Sequence, residues 1–173
     1  MRYADDFVLM GERITEEILN KVKKLIENMG LKLNEEKTKL INAKENKFDF
    51  LGFTFRYDNC IFTKGNKYWN IIPSEKAEKK IKENLRELFR KKGHLCGGEI
   101  TKEINSKIRG WVNYYKIEGI SYPRKSQRKL RWYLMNKVYG FYKRKSQRRS
   151  KLYRKGAYRI LVDKYGLIEP TAY

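Results

Sequence analysis

Two adjacent carboxylates, Asp5 and Asp6, are the residues of this chain best placed by type and spacing to do chemistry. Short apolar runs flank them, Met1 to Ala4 before and Phe7 to Met10 after, so the local pattern reads strand, acidic turn, strand. Tight hairpin turns favour Asn-Gly or Asp-Gly, which tolerate positive φ. Asp-Asp has no glycine and sets two like charges side by side, which is costly unless a cation neutralises them. Magnesium fits, because it takes oxygen ligands and often binds through one or two carboxylates. Enzymes of phosphoryl transfer commonly hold two such ions roughly 3.5–4 Å apart. The alternative is an ordinary solvated acidic turn. A second candidate is weaker: His94 and Cys96 sit two apart, but no second pair of ligands accompanies them, so a loop histidine is the better reading. The glycine-rich stretch Gly93 to Gly98 lacks the Gly-Lys-Thr/Ser ending of a nucleotide-binding loop and reads as a connector.

The other chemical signal is charge. The net charge is +21, from 41 Lys and Arg against 20 Asp and Glu. Between Ser121 and Arg159 lie fifteen Lys or Arg residues and no Asp or Glu. Unrelieved positive charge repels itself unless a polyanion lies against it. Aromatic residues make up 14% of the chain, and rings interleaved with cations suit bases and phosphates better than lipid. No apolar run approaches the roughly 18–20 residues of a bilayer-crossing helix. No secretory leader pattern is visible. Cys60 and Cys96 are too few and too far apart for a disulfide framework, which suits a reducing cytoplasm.

The elements that must position these groups follow from periodicity. Thr15 can cap a helix whose apolar positions, Ile18, Val22, Leu25, Ile26 and Met29, predict one buried stripe ending at Gly30. Leu31 to Leu33 is expected to be extended and Thr38 to Asn42 a further strand. Phe48 to Phe55 predicts a strand, with Gly52 marking a bulge or a close backbone approach. Cys60 to Thr63 and Lys67 to Ile72 continue it as an antiparallel meander. After Pro73 the composition changes, and helices dominate. Ser74 caps the first, with Ala77, Ile81, Leu85, Leu88 and Phe89 inward. Thr101 caps the second, through Ile104, Ile108, Trp111, Val112 and Tyr115. Ser121 or Tyr122, with Pro123 near the first turn, opens the third, which runs to about Lys145 with Leu130, Leu134, Val138 and Phe141 inward.

In this order the pieces resemble a known family. Tyr3-Ala4-Asp5-Asp6-Phe7 resembles the catalytic hairpin of reverse transcriptases. Gly30-Leu31-Lys32-Leu33-Asn34-Glu35-Glu36-Lys37-Thr38 resembles the palm motif that follows it, and Phe50-Leu51-Gly52-Phe53 the primer-grip hairpin. Arg109-Gly110-Trp111-Val112-Asn113-Tyr114-Tyr115 resembles the signature of the maturase, or thumb, domain of group II intron-encoded proteins. The resemblance implies an α+β chain: residues 1–73 as the C-terminal part of a reverse transcriptase palm, an antiparallel sheet with a packed helix, and 74–173 as a helical maturase domain. It implies Asp5 and Asp6 as catalytic Mg2+ ligands. It matches Lys37 to a lysine near the incoming nucleotide, either assisting the leaving pyrophosphate or simply exposed. It makes Leu51 and Gly52 the primer grip. Arg109 and the basic run, Arg124, Lys125, Arg128, Lys129, Arg131, Lys143, Arg144, Lys145, Arg148 and Arg149, become nucleic-acid contacts, whereas Trp111, Tyr114 and Tyr115 read as thumb core.

The chain also departs from the family. The fingers and a third metal-binding aspartate, which lies upstream of the acidic hairpin in the family, are not among these residues. The expectation is therefore a C-terminal part that binds group II intron RNA and assists splicing or RNA-templated DNA synthesis, and that does not polymerise alone. The alternatives are half of a split RNA-directed DNA polymerase acting on an RNA/DNA duplex with an N-terminal partner chain, a general RNA-binding domain, or a decayed remnant.

Overall fold

The computed structural model describes residues 2–3, 6–34, 36–60, 63–145 and 150–172. The chain is α+β, and its contacts divide it into two compact units, Met1–Asn46 and Lys47–Tyr173.

The first unit holds strands β1 (Arg2–Tyr3) and β2 (Asp6–Phe7), paired antiparallel with Arg2 opposite Phe7 and Tyr3 opposite Asp6, and helix α1 (Glu16–Asn28). Thr15 stands at the N-cap of α1 with extended backbone but makes no side-chain capping bond. The predicted stripe is present as a pattern and absent as a core. None of residues 6–34 and 36–46 is buried, and Leu25 and Met29 are 58% and 65% exposed. Two strands of two residues each cannot cover a helix of 13. The strand expected at Thr38–Asn42 does not form, and Leu31–Leu33, expected to be extended, belongs to no strand. Asn34 organises that region as a turn instead, its carbonyl accepting from the Lys37 and Thr38 amides at 3.2 and 3.0 Å.

The second unit opens with β3 (Phe48–Phe50), β4 (Phe53–Asn59) and β5 (Lys67–Pro73), an antiparallel meander with β4 central. The predicted strand Phe48–Phe55 is therefore two strands. Phe50 pairs with Phe53, which leaves Leu51 and Gly52 as a two-residue turn with φ of 49° and 81°. Positive φ at both central residues is what a type I′ hairpin requires, and it matches the twist of the flanking strands. Of the two readings of Gly52, the bulge gives way to a turn, and the close approach is present, since a Cβ there would stand 2.6 Å from the Tyr115 hydroxyl. Of the strand expected at Cys60–Thr63, Ile61 and Phe62 lie outside the described residues, and β4 ends at Asn59.

The helices are α2 (Glu75–Lys91), α3 (Gly97–Tyr115), α4 (Arg124–Arg144), α5 (Lys151–Arg154) and α6 (Ala157–Tyr165). The Ser74 side chain accepts from the Ala77 amide and caps α2, whose five buried residues are the five predicted. Helix α3 starts a turn earlier than expected. Cys96 caps it, with the Glu99 carboxylate accepting from the Cys96 amide, and Thr101 lies inside the helix with its hydroxyl on the Gly97 carbonyl. That backbone donor is the main cause holding the Glu99 carboxyl below its ordinary pKa. In α4 the buried position near the C-terminal end is Tyr142, with Phe141 half-buried beside it. The core of this unit is the contact of α2, α3, α4 and α6, centred on Leu85, Ile100, Ile104, Ile108, Leu134, Val138 and Leu161, all without exposed surface. No helix among the described residues is long and apolar enough to cross a membrane.

Candidate nucleic-acid interface

Helix α4 sorts its residues by phase. Buried positions Gln127, Leu130, Leu134 and Val138 recur every three or four residues and pack inward. The opposite phase carries Arg124, Lys125, Arg128, Trp132, Asn136 and Lys143, all exposed. A helix interior has no place for a run of cations, so the core phase of α4 drives them onto one outward face.

The structure divides the predicted contacts in two. Lys129 reaches the Glu78 carboxylate at 3.1 Å, and that carboxylate also accepts from the Ser126 hydroxyl at 2.6 Å, fastening α4 to α2. Arg131 reaches Glu169 at 2.9 Å, and Tyr158 donates to the same carboxylate oxygen at 3.2 Å, fastening α4 and α6 to the tail. Lys145 donates to the Leu95 carbonyl at 2.6 Å and lies over the Phe141 and Tyr142 rings. These three cations hold the fold together. Arg124, Lys125, Arg128, Lys143 and Arg144 form no ion pair among the described residues and remain exposed. Arg148 and Arg149 lie outside the described residues.

The tail attachment has a pH signature. The hydrogen bond and charge of Glu169 raise the pKa of the Arg131 guanidinium. Burial, and then the charge of Glu169, push the Tyr158 hydroxyl from 10.0 up to about 12. Below pH 10.0 the phenol is protonated in both folded and unfolded chains, so its contribution to stability is fully present. Above that value the unfolded chain releases the proton and the folded chain keeps it until about 12, so stability falls across this window. Denaturant midpoints measured across it should decline, and Tyr158→Phe should flatten the decline. Equal slopes for the two proteins would refute this.

Arg109 projects from α3 into solvent beside Lys102, Ser106, Gly110 and Asn113 along a shallow concavity. Asn105, on the same helix, is occupied. Its amide donates to the Gly166 carbonyl and its carbonyl accepts from the Ile168 amide, each at 2.8 Å.

The turn at Leu51 and Gly52 is fastened to the helices. The Tyr114 hydroxyl donates to the Leu51 carbonyl at 2.9 Å, and the Ser74 amide to the Gly52 carbonyl at 2.8 Å. Phe53 stacks on Tyr114 at 5.6 Å and meets Tyr115 edge-on at 5.0 Å. Trp111 and Tyr115 are buried as expected of core; Tyr114 is 52% exposed and works as this bridge. Farther along, the Tyr122 amide donates to the Ile71 carbonyl, so the segment before α4 is pinned to the edge strand β5.

In the first unit, Asp6 is exposed on β2, and Asp5 lies outside the described residues. Lys37 is exposed in the Asn34 turn, and no ion pair among the described residues joins it to Asp6. Among the described residues no three His, Cys, Asp or Glu side chains group so as to hold a metal. The described carboxylate alone does not make a magnesium site.

Two family models match the chain. Residues 1–55 match the reverse transcriptase (RNA-dependent DNA polymerase) model, and residues 78–157 match the model of the group II intron maturase-specific domain. No curated protein matches it.

Proposed function

We propose that this chain, a protein of the group II intron reverse transcriptase and maturase type, binds structured intron RNA through the outward face of α4 and in that way assists splicing or RNA-templated DNA synthesis. One observation carries the reading. Arg124, Lys125, Arg128 and Lys143 share one solvent face of a single helix with no acidic partner among the described residues. Cations with carboxylate partners neutralise each other, whereas these four keep their charge for an external anion, and phosphate is the anion RNA presents in a row. Arg109 on α3 adds a fifth candidate.

Asp5 and Asp6 belong to this reading only as part of a larger carboxylate set. In a complete palm they would supply oxygen ligands to magnesium, whose role would be to neutralise charge developing at phosphate.

The test is the salt dependence of RNA binding. Each neutralised phosphate releases counterions, with a log–log slope of about −0.9 per contact. Four contacts then predict a loss of roughly a hundredfold in affinity between about 50 and about 200 mM salt. Affinity for a folded intron RNA that stayed flat across that range would defeat the reading.

A further inference from the structure

Among its described residues the second unit carries several exposed aromatic residues, and all but one of these have an evident structural use. Trp69, 41% exposed, leans on Tyr57 at 5.2 Å. Tyr114 holds the Leu51 carbonyl, and Tyr122 meets Tyr68 edge-on at 5.7 Å. Trp132 is different. It is 65% exposed, and its indole has no ring contact or hydrogen bond to any described residue. It sits on α4 out of phase with Leu130 and Leu134, in the middle of the outward face. Arg128 lies one helical turn before it, Lys125 two turns before it and Asn136 one turn after it.

We infer that Trp132 is a stacking platform for an unpaired RNA base, with Arg128 and Lys125 on the phosphates flanking that nucleotide. The inference rests on the RNA-binding reading above and adds the kind of RNA element recognised. A large apolar ring held in water gains by covering its face, and the faces of nucleobases are the apolar surface that arrives together with phosphates. Bases inside an A-form helix already stack on their neighbours, and side chains cannot read the deep, narrow groove between its strands. The base that meets Trp132 must therefore come from a loop, bulge or end. The cations beside the ring select RNA over an apolar protein face, since a protein surface docking there would need carboxylates opposite Arg128 and Lys125.

The experiment compares two labelled RNAs in the same buffer, a hairpin with a loop of unpaired bases and a blunt duplex of equal length. Both are titrated with the wild-type chain, Trp132→Ala and Trp132→Phe. Loss of a stacked base predicts a fall of roughly 5- to 150-fold in hairpin affinity for Trp132→Ala. Duplex affinity should change less than about twofold, and Trp132→Phe should recover most of the hairpin affinity, because stacking needs only a ring. The salt slope for the hairpin should be the same in all three proteins, since no cation has been removed. Equal losses on both RNAs, or none on either, overturn the inference while leaving RNA binding intact. A change of sedimentation coefficient in the free Trp132→Ala protein, with hairpin affinity kept, overturns it in favour of a protein contact. If the wild-type chain binds neither RNA, this inference and the reading beneath it fall together.

Discussion

Replacing Arg124, Lys125 and Arg128 together by Glu should lower affinity for folded intron RNA by about 500-fold or more at ~0.1 M salt, through the loss of three phosphate contacts. The log–log salt slope should become shallower by about 2.7. The fold should survive. All three side chains are exposed and form no ion pair among the described residues, and the first two stand in the opening turn of α4. Negative charge at a helix N-terminus is favourable by about 0.3–1 kcal/mol, so the substitutions suit the helix better than the native cations do. That separates binding from folding: the circular dichroism spectrum should be unchanged while the binding isotherm moves. Reversing Lys129 and Arg131 should do the opposite, because Glu78 and Glu169 would then face like charge. If the triple variant binds as tightly as the native chain, α4 is not the RNA face.

The largest effect on stability is expected at Gly52, where Val should cost about 4 kcal/mol. Two causes add. At φ 81° a β-branched residue sits in a backbone region it rarely adopts, and such strain is worth about 1–3 kcal/mol. A Cβ at this position would also stand 2.6 Å from the Tyr115 hydroxyl. That ring cannot retreat easily, since it is buried among Phe53, Trp111 and Tyr114 with ring centroids 4.8 to 5.0 Å away. Overpacking of this kind costs about 1–3 kcal/mol. Gly119 provides the control. Its φ is 71°, and nothing lies within 4 Å of the position a Cβ would take. Gly119→Val should therefore show the backbone strain alone, and thermal unfolding of the two variants should differ by the clash. Equal melting temperatures would mean that Tyr115 moves aside at no cost.

How much of this was legible in the sequence depended on whether a residue's partners were local. Ser74 and the stripe from Ala77 to Phe89 could be read because a cap and a helical phase are set within a few residues. The stripe of α1 was equally visible as a pattern, but burial needs a facing layer, and two short strands do not provide one. The local pattern runs through the Leu51–Gly52 turn as one strand because Leu is a poor turn residue on its own, whereas the family resemblance places a hairpin there. The positive φ of Leu51 accompanies a tie to Tyr114, 63 residues away. The same reason explains why the basic run could be found but not divided. Lys129, Arg131 and Lys145 find their partners 51, 38 and 50 residues distant, so periodicity could not separate them from Arg124 or Arg128. Trp132 did leave a signal, an aromatic out of step with Leu130 and Leu134 on an otherwise charged face. Helices α5 and α6 were not anticipated. The division of contacts at Asn46 and Lys47 places the meander with the helices, whereas the change of composition falls at Pro73.

Helix α3 is tied in two directions along the chain. Tyr114, near its C-terminal end, holds Leu51, 63 residues earlier, and Asn105, near its middle, holds Ile168, 63 residues later. For a chain emerging residue by residue from a ribosome, this sets an order of events. The hairpin can close on Tyr114 as soon as α3 is made, while the Asn105 amide keeps both its N–H donor and its carbonyl in water until residues 166–168 appear. Loop-closure entropy rises only slowly with length, so the late tie is no costlier than the early one. It cannot form, however, until Gly166 and Ile168 have been made, so docking of this segment on α3 follows closure of the hairpin.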